Sequence, residues 1–249
     1  MEWIGEPERA PGVVERAFRL TVDDREVPGI LWLPDAPVPS EAAGRPLVLI
    51  GHGATLHKRI DYIVYLAHLM AERGFAAAAL DAPGHGERRP DPSADEVQLF
   101  ANFLAEWSRA GSTDDVVAEW HATLTALRDL EEVGDGPIGY WGLSMGTIYG
   151  VPYVASEPRV QVAVFGLMGL LGPTKDRLAA DAAAVSCPVL FIQQWHDQLV
   201  PRQESFTLFD TLGPLDKRLH AHPGQHAAVP VEELVFSVDF LARHLAPGP

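Results

Sequence analysis

The feature that most constrains the fold of this chain is an alternation of short, largely apolar runs with stretches of helical spacing. Leu47–Ile50, Phe75–Leu80, Ile138–Trp141, Val160–Phe165, Val189–Gln193 and Lys217–Ala221 read as strands. Between them, Ile60, Ile63, Val64, Ala67 and Met70 fall on one helical face that Gly74 closes, and Asp114–Glu131 carries Val117, Trp120, Leu124 and Leu127 in the same way. Met145–Ser156, Gln203–Leu212 and Val231–His244 read as further helices. Strands that are apolar on both faces need cover on both faces, and intervening helices supply the crossovers for parallel pairing. The expected fold class is therefore α/β: a mostly parallel central sheet with helices on both faces, in a single domain 1–249.

Two earlier runs, Val14–Val22 and Glu26–Leu33, read as antiparallel strands joined by Asp23-Asp24-Arg25. Pro34–Pro46 reads as a surface loop without a domain boundary. The piece between Gly86 and Asp114 interrupts the alternation, because Val97, Phe100, Phe103, Leu104 and Trp107 recur there at helical spacing. Two readings stay open for segment 87–113: an ordinary packing helix, or a small helical lid whose aromatic face lines a substrate pocket.

The formal charge of −15, from 34 acidic and 19 basic residues, argues against nucleic acid or an anionic membrane as partner, since both demand a basic face. No apolar run reaches the ~18 residues of a membrane span. The first twelve residues lack a basic start and an apolar core, so no signal peptide is expected. A lone Cys187, just before Pro188 at a strand entrance, reads as core and cannot form an internal disulfide. These features lead to the expectation of a cytoplasmic protein without a metal cluster; a monomer or homodimer is expected.

Gly142-Leu143-Ser144-Met145-Gly146 is the strongest local signal. A G-x-S-x-G match alone is modest evidence, but this one sits between a strand and an apolar helix, the context that gives it meaning. A serine on such a tight turn is strained and projects its hydroxyl above the sheet, while the flanking positions are too crowded for side chains. A serine hydroxyl needs a base, and the base needs an orienting carboxylate. In the order expected after such an elbow, Asp197 follows a strand in WHDQLVP and His226 follows the last strand in HPGQHAAVP. Both belong to loops at the strand ends, the ligand side of open α/β sheets.

Of ten histidines, His57, His68, His121 and His244 fall on or beside helices. His220 and His222 come too early for a loop reaching back over Ser144. Two backbone N–H groups should meet the oxyanion: that of Met145, and that of Ala54 in the loop Gly51-His52-Gly53-Ala54, with Gly53 the weaker alternative. His52 is expected to brace that loop rather than to react. Candidate pocket walls are Leu56, His57, Phe103, Trp107, Met168, Leu170, Leu171, Leu199 and Val200. They are mostly apolar and suggest a modest pocket for short acyl chains.

With HGA at 52–54, DAPGHG at 81–86, GLSMG at 142–146, HDQLVP at 196–201 and PGQH at 223–226, the chain resembles the α/β-hydrolase superfamily over almost its whole length. Its compact size and the HGERR segment look most like small bacterial carboxylesterases of the dienelactone-hydrolase-like branch. That resemblance implies hydrolysis of small carboxylic esters through an acyl-enzyme, without a cofactor. Dienelactone hydrolases carry cysteine at the elbow, whereas this chain has Ser144. Haloalkane dehalogenases and epoxide hydrolases, which resemble it in fold, use aspartate there. An amidase or peptidase, a thioesterase or acyltransferase, and a non-catalytic binding protein on the same scaffold remain as alternatives.

Overall fold

A computed structural model describes residues 1–38 and 43–245. Positions 39–42 of the expected Pro34–Pro46 loop lie outside the described residues. Nine strands form one sheet: β1 (Glu2–Ala10), β2 (Val13–Val22), β3 (Arg25–Pro34), β4 (Leu47–Gly51), β5 (Ala76–Leu80), β6 (Ile138–Gly142), β7 (Val160–Gly166), β8 (Val189–Gln194) and β9 (Lys217–His222). Their order is β1-β2-β3-β5-β4-β6-β7-β8-β9. The β5-β4-β6-β7-β8-β9 portion is parallel, and β1, β2 and β3 add antiparallel to its β5 side. Asp23 and Asp24 both take positive φ, 46° and 63°, the geometry of a two-residue hairpin turn matched to strand twist.

Side-chain alternation sorts the core into two layers. Leu47 and Leu49 of β4 point into one, Val48 and Ile50 into the other. The second layer lies under α1 (Asp61–Glu72) and α7 (Val231–Leu245). The first lies under α3 (Ser112–Arg128), α4 (Met145–Ser156), α5 (Lys175–Ala184) and α6 (Arg202–Thr211), with α2 (Glu96–Ser108) packed at its edge. Sequence reading missed β1, whose residues are almost all exposed and so carry no apolar alternation. It also missed α5, where two buried residues, Leu178 and Ala182, leave little periodic signal.

The segment 87–113 contains α2, but its inward face is Leu99, Phe103 and Trp107. Val97, Phe100 and Leu104, expected on the same stripe, are exposed. Asp95 caps this helix by accepting the Gln98 N–H at 2.9 Å.

The loop after β5 is fixed by a buried charge cluster. Asp81, fully buried, accepts from the Lys58 N–H at 2.9 Å, from Lys58 Nζ at 2.5 Å and from the Glu87 N–H at 2.9 Å. Arg88 donates to the Asp81 carbonyl at 3.1 Å and, with both terminal nitrogens, to Glu119 of α3 at 2.7 and 2.9 Å. Burial opposes the charge on Asp81, yet Lys58 and the backbone donors hold its carboxyl below the usual range. Removing one partner of such a pair leaves a buried charge without compensation. Lys58→Met should therefore cost about 3 kcal/mol, a fall in Tm of about 6–12 °C for a domain of this size, measured by thermal unfolding. An unshifted midpoint would mean that the cluster does not hold the loop.

Candidate active site

The C-terminal ends of β4, β6, β7, β8 and β9 share one edge of the sheet, and the residues singled out by sequence gather there. Ser144 follows β6 directly and adopts φ 58°, ψ −117°, a region that a non-glycine residue holds only when its surroundings enforce it. The enforcement is visible. The Ser144 N–H donates to the Gly166 carbonyl of β7 at 2.9 Å, and the Gly146 N–H donates to Leu143 O at 2.9 Å. Thr147 Oγ1 accepts the Gly166 N–H at 2.9 Å. Crowding at the flanking glycines follows the same logic: a Cβ on Gly142 would lie 2.7 Å from Gly146 O, and one on Gly146 2.6 Å from Gly51 O. The elbow thus presses directly against the end of β4.

Three side chains from three loops form one hydrogen-bonded chain. His226 Nε2 lies 2.9 Å from Ser144 Oγ, and His226 Nδ1 lies 2.7 Å from Asp197 Oδ2. With Nδ1–H donating to the carboxylate, Nε2 is left as an acceptor for the serine hydroxyl. The other carboxylate oxygen of Asp197 accepts the Leu199 and Val200 N–H groups at 2.8 and 2.9 Å. Burial works against its charge, but these donors and His226 hold the Asp197 carboxyl below its usual range.

The loop that carries His226 is fastened to the end of β8 by contacts that no motif announced. Gln198 Oε1 accepts the His226 N–H at 3.0 Å, Gln194 Oε1 accepts the Gly224 N–H at 3.1 Å, and the His196 N–H donates to Gly224 O at 3.0 Å. Glutamines carry little sequence signal, because their role here is to accept backbone N–H groups.

On the β4 side, the Gly53 N–H donates to Tyr62 OH at 3.0 Å. The N–H groups of Ala54 and Met145 have no acceptor among the described residues. His52 is fully buried and locks this loop: Nδ1–H donates to Gly53 O at 2.8 Å while Nε2 accepts the Ala82 N–H at 3.1 Å. Burial pushes its pKa down to about 3, with neighbouring His85 acting in the same direction.

The residues expected to wall a pocket differ in exposure. Phe103, Trp107, Met168 and Val200 are buried, Leu56, His57, Leu170 and Leu171 half-buried, and the Leu199 side chain is exposed. Val116, Trp120, Tyr140 and Tyr149, not among the expected pocket walls, line a cavity of about 20 Å³ beside Met145 and Gly146. A larger groove of about 530 Å³, lined by Arg9, Arg16, Leu33, Arg45 and Glu132 among others, lies at the opposite edge of the sheet. Cys187 is buried and its thiol is pushed up to about 12, so it does not present a thiolate. Among the described residues, no helix is long and apolar enough to cross a membrane, and no three His, Cys, Asp or Glu side chains are grouped to hold a metal ion.

Residues 47–247 match the model of the Alpha/beta hydrolase family. A cold-adapted esterase from an Arctic intertidal metagenomic library, solved with bound PEG, is 44% identical, with a TM-score of 0.86 over 98% of this chain and 100% of its own. The Bacillus subtilis (strain 168) protein named "Putative esterase YitV" is 26% identical over 196 residues, 75% of this chain and 71% of that protein. The acetyl xylan esterase from Paenibacillus sp. R4 is 16% identical, with a TM-score of 0.76 over 98% of this chain and 88% of its own, a likeness of fold.

The state of His52 carries a pH signature. In the folded protein it stays neutral down to about pH 3, whereas in the unfolded chain it binds a proton near pH 6.5. Below about pH 6.5 the unfolded state therefore binds more protons, and stability falls as pH drops towards 3. Buried His85, also lowered, adds to this slope. The Asp197 contribution is present above about pH 4 and is lost only as pH falls through its depressed folded value. Urea midpoints measured at several pH values between 7.5 and 4.5 should decline steadily, and His52→Gln should flatten the decline. An equal slope in the variant would contradict a neutral His52.

Proposed function

The chain belongs to the alpha/beta hydrolase family, and from that premise we propose that it is a serine carboxylesterase acting on small carboxylic esters. The observation that carries this reading is the continuous chain Ser144 Oγ–His226–Asp197, with separations of 2.9 and 2.7 Å. The esterase relatives support the same reaction class.

Ser144 Oγ attacks the ester carbonyl as its proton passes to His226 Nε2. Asp197 keeps the imidazole in the Nδ1–H tautomer and stabilises the imidazolium. Negative charge collects on the former carbonyl oxygen. The two N–H groups without acceptors, of Ala54 and Met145, are the donors for it, each worth about 3–4 kcal/mol when preorganised. The C–O bond to the alcohol then breaks, and His226 returns the proton to the leaving oxygen. Water attacks the acyl-enzyme carbonyl by the same route, its proton going to His226 and then to Ser144 Oγ as the bond from Oγ to the acyl carbon breaks and the acid leaves. The Met145 donor lies at the start of α4, where the helix dipole favours negative charge. Phe103, Trp107, Leu56, His57, Met168, Leu170, Leu171, Leu199 and Val200 border the cleft in this reading.

Ser144→Ala should lower kcat/KM for p-nitrophenyl acetate by about 10³-fold or more, with folding unchanged by circular dichroism. Labelling by a fluorophosphonate probe should disappear with it. A purified variant that turns over the ester at the parent rate would sink the assignment. Matched butyl ester and butyl amide substrates should give turnover of the ester alone.

A further inference from the structure

An aromatic row borders the site and extends beyond the reacting groups. His52, in the loop after β4, packs against His85 with ring centroids 5.2 Å apart, and His85 lies 6.3 Å from Phe103. Phe103 stacks on Trp107 at 5.4 Å with 19° between the planes. Trp107 then reaches the loop after β7, where its indole N–H donates to Thr174 Oγ1 at 2.7 Å. Its ring also fills the space over Gly172, where an added Cβ would lie 2.0 Å from Trp107 Cη2. In the sheet β6 lies between β4 and β7. The row therefore crosses the edge of the sheet beside the elbow that carries Ser144.

Thr174 stands at the N-cap of α5, where a threonine oxygen ordinarily accepts an N–H of the first helical turn. Its side chain makes no such bond, and its hydroxyl meets Trp107 instead. Trp107 is 6% exposed although α2 turns Val97, Phe100 and Leu104 to solvent, so this helix is fitted to its neighbours through one inward face.

We propose that Trp107, clasped by Thr174, limits the length of the acyl chain that this site accepts. The inference rests on the serine esterase reading. In that reaction the leaving alcohol lies against His226 Nε2, which returns its proton, on the β8–β9 side of the elbow. The acyl chain extends from the same carbonyl carbon in the other direction, towards the aromatic row. With the clasp closed, the ring occupies the space over Gly172. A short acyl group fits beside the row, and a long one requires the ring to be displaced.

The test compares kcat/KM for p-nitrophenyl acetate, butyrate and octanoate, and for a parallel series of acetates with alcohols of increasing size. Trp107→Ala should raise the octanoate-to-acetate ratio by about tenfold or more, the scale on which pocket size discriminates chain length. Thr174→Val, which keeps the shape and removes the acceptor, should move the ratio in the same direction by about threefold. Thr174→Ser should restore the parent value. Should Trp107→Ala fail to fold, Trp107→Phe, which loses the N–H and one ring, takes its place with the same expected direction. An unchanged ratio in a folded Trp107 variant, or a shift confined to the alcohol series, overturns the proposal. Failure of the esterase reading is separate: the parent protein would then hydrolyse none of these esters, or Ser144→Ala would hydrolyse them all.

Discussion

The backbone of Ser144 is the constraint on which the site depends. A serine at φ 58°, ψ −117° costs about 1–3 kcal/mol, and it persists because the sheet on either side leaves no alternative. Gly146 rests against the Gly51 carbonyl of β4, and Ser144 N–H is taken by Gly166 of β7. The same contacts that impose the strained turn fix the spacing between the elbow and the loops after β4 and β7. The hydroxyl, the free N–H of Met145 and the loop that presents Ala54 N–H are thus set by one packing solution rather than by three separate ones.

Three buried polar groups around that elbow are held in fixed charge states by their surroundings. His52 is buried and neutral, with one ring nitrogen donating and the other accepting, so it joins the loops after β4 and β5 without carrying charge. Asp81 is the opposite case, a buried anion made tolerable by Lys58 and by backbone donors. Asp197 is held ionised by three donors, two of them backbone. Donors fixed in place before a reaction begins need no reorganisation during it, and that preorganisation is the main source of electrostatic stabilisation in such sites.

Much of this was legible in the sequence, for a physical reason. The parallel strands announce themselves because both faces are buried, as in Val48, Leu49 and Ile50. Ser144 is legible because crowding forbids side chains at 142 and 146, and that prohibition is written as glycine. The positions of Asp197 and His226 follow from strand order. By contrast, β1 is exposed on nearly every residue and α5 buries only two, so neither leaves a periodic trace. The inward face of α2 was also misjudged, since the exposed Val97, Phe100 and Leu104 are as apolar as the buried Leu99, Phe103 and Trp107. The contacts of Gln194 and Gln198 were not readable because their partners are backbone groups in a distant loop.

That contrast has a structural basis. The groups in the hydrogen-bonded chain stand at strand ends, where registry with neighbouring strands fixes them and local sequence reflects the constraint. Helix α2 stands outside that registry. Among the described residues, its side-chain hydrogen bond across to the loop after β7 is that of Trp107 with Thr174, residues 67 positions apart. Neither belongs to a motif, and each is recognisable only through the other: the ring needs the glycine beneath it, and the threonine forgoes its helix cap to hold the ring. Groups anchored to the sheet are therefore readable from a single chain, while the packing of the helix beside them emerges only when distant segments are seen in contact.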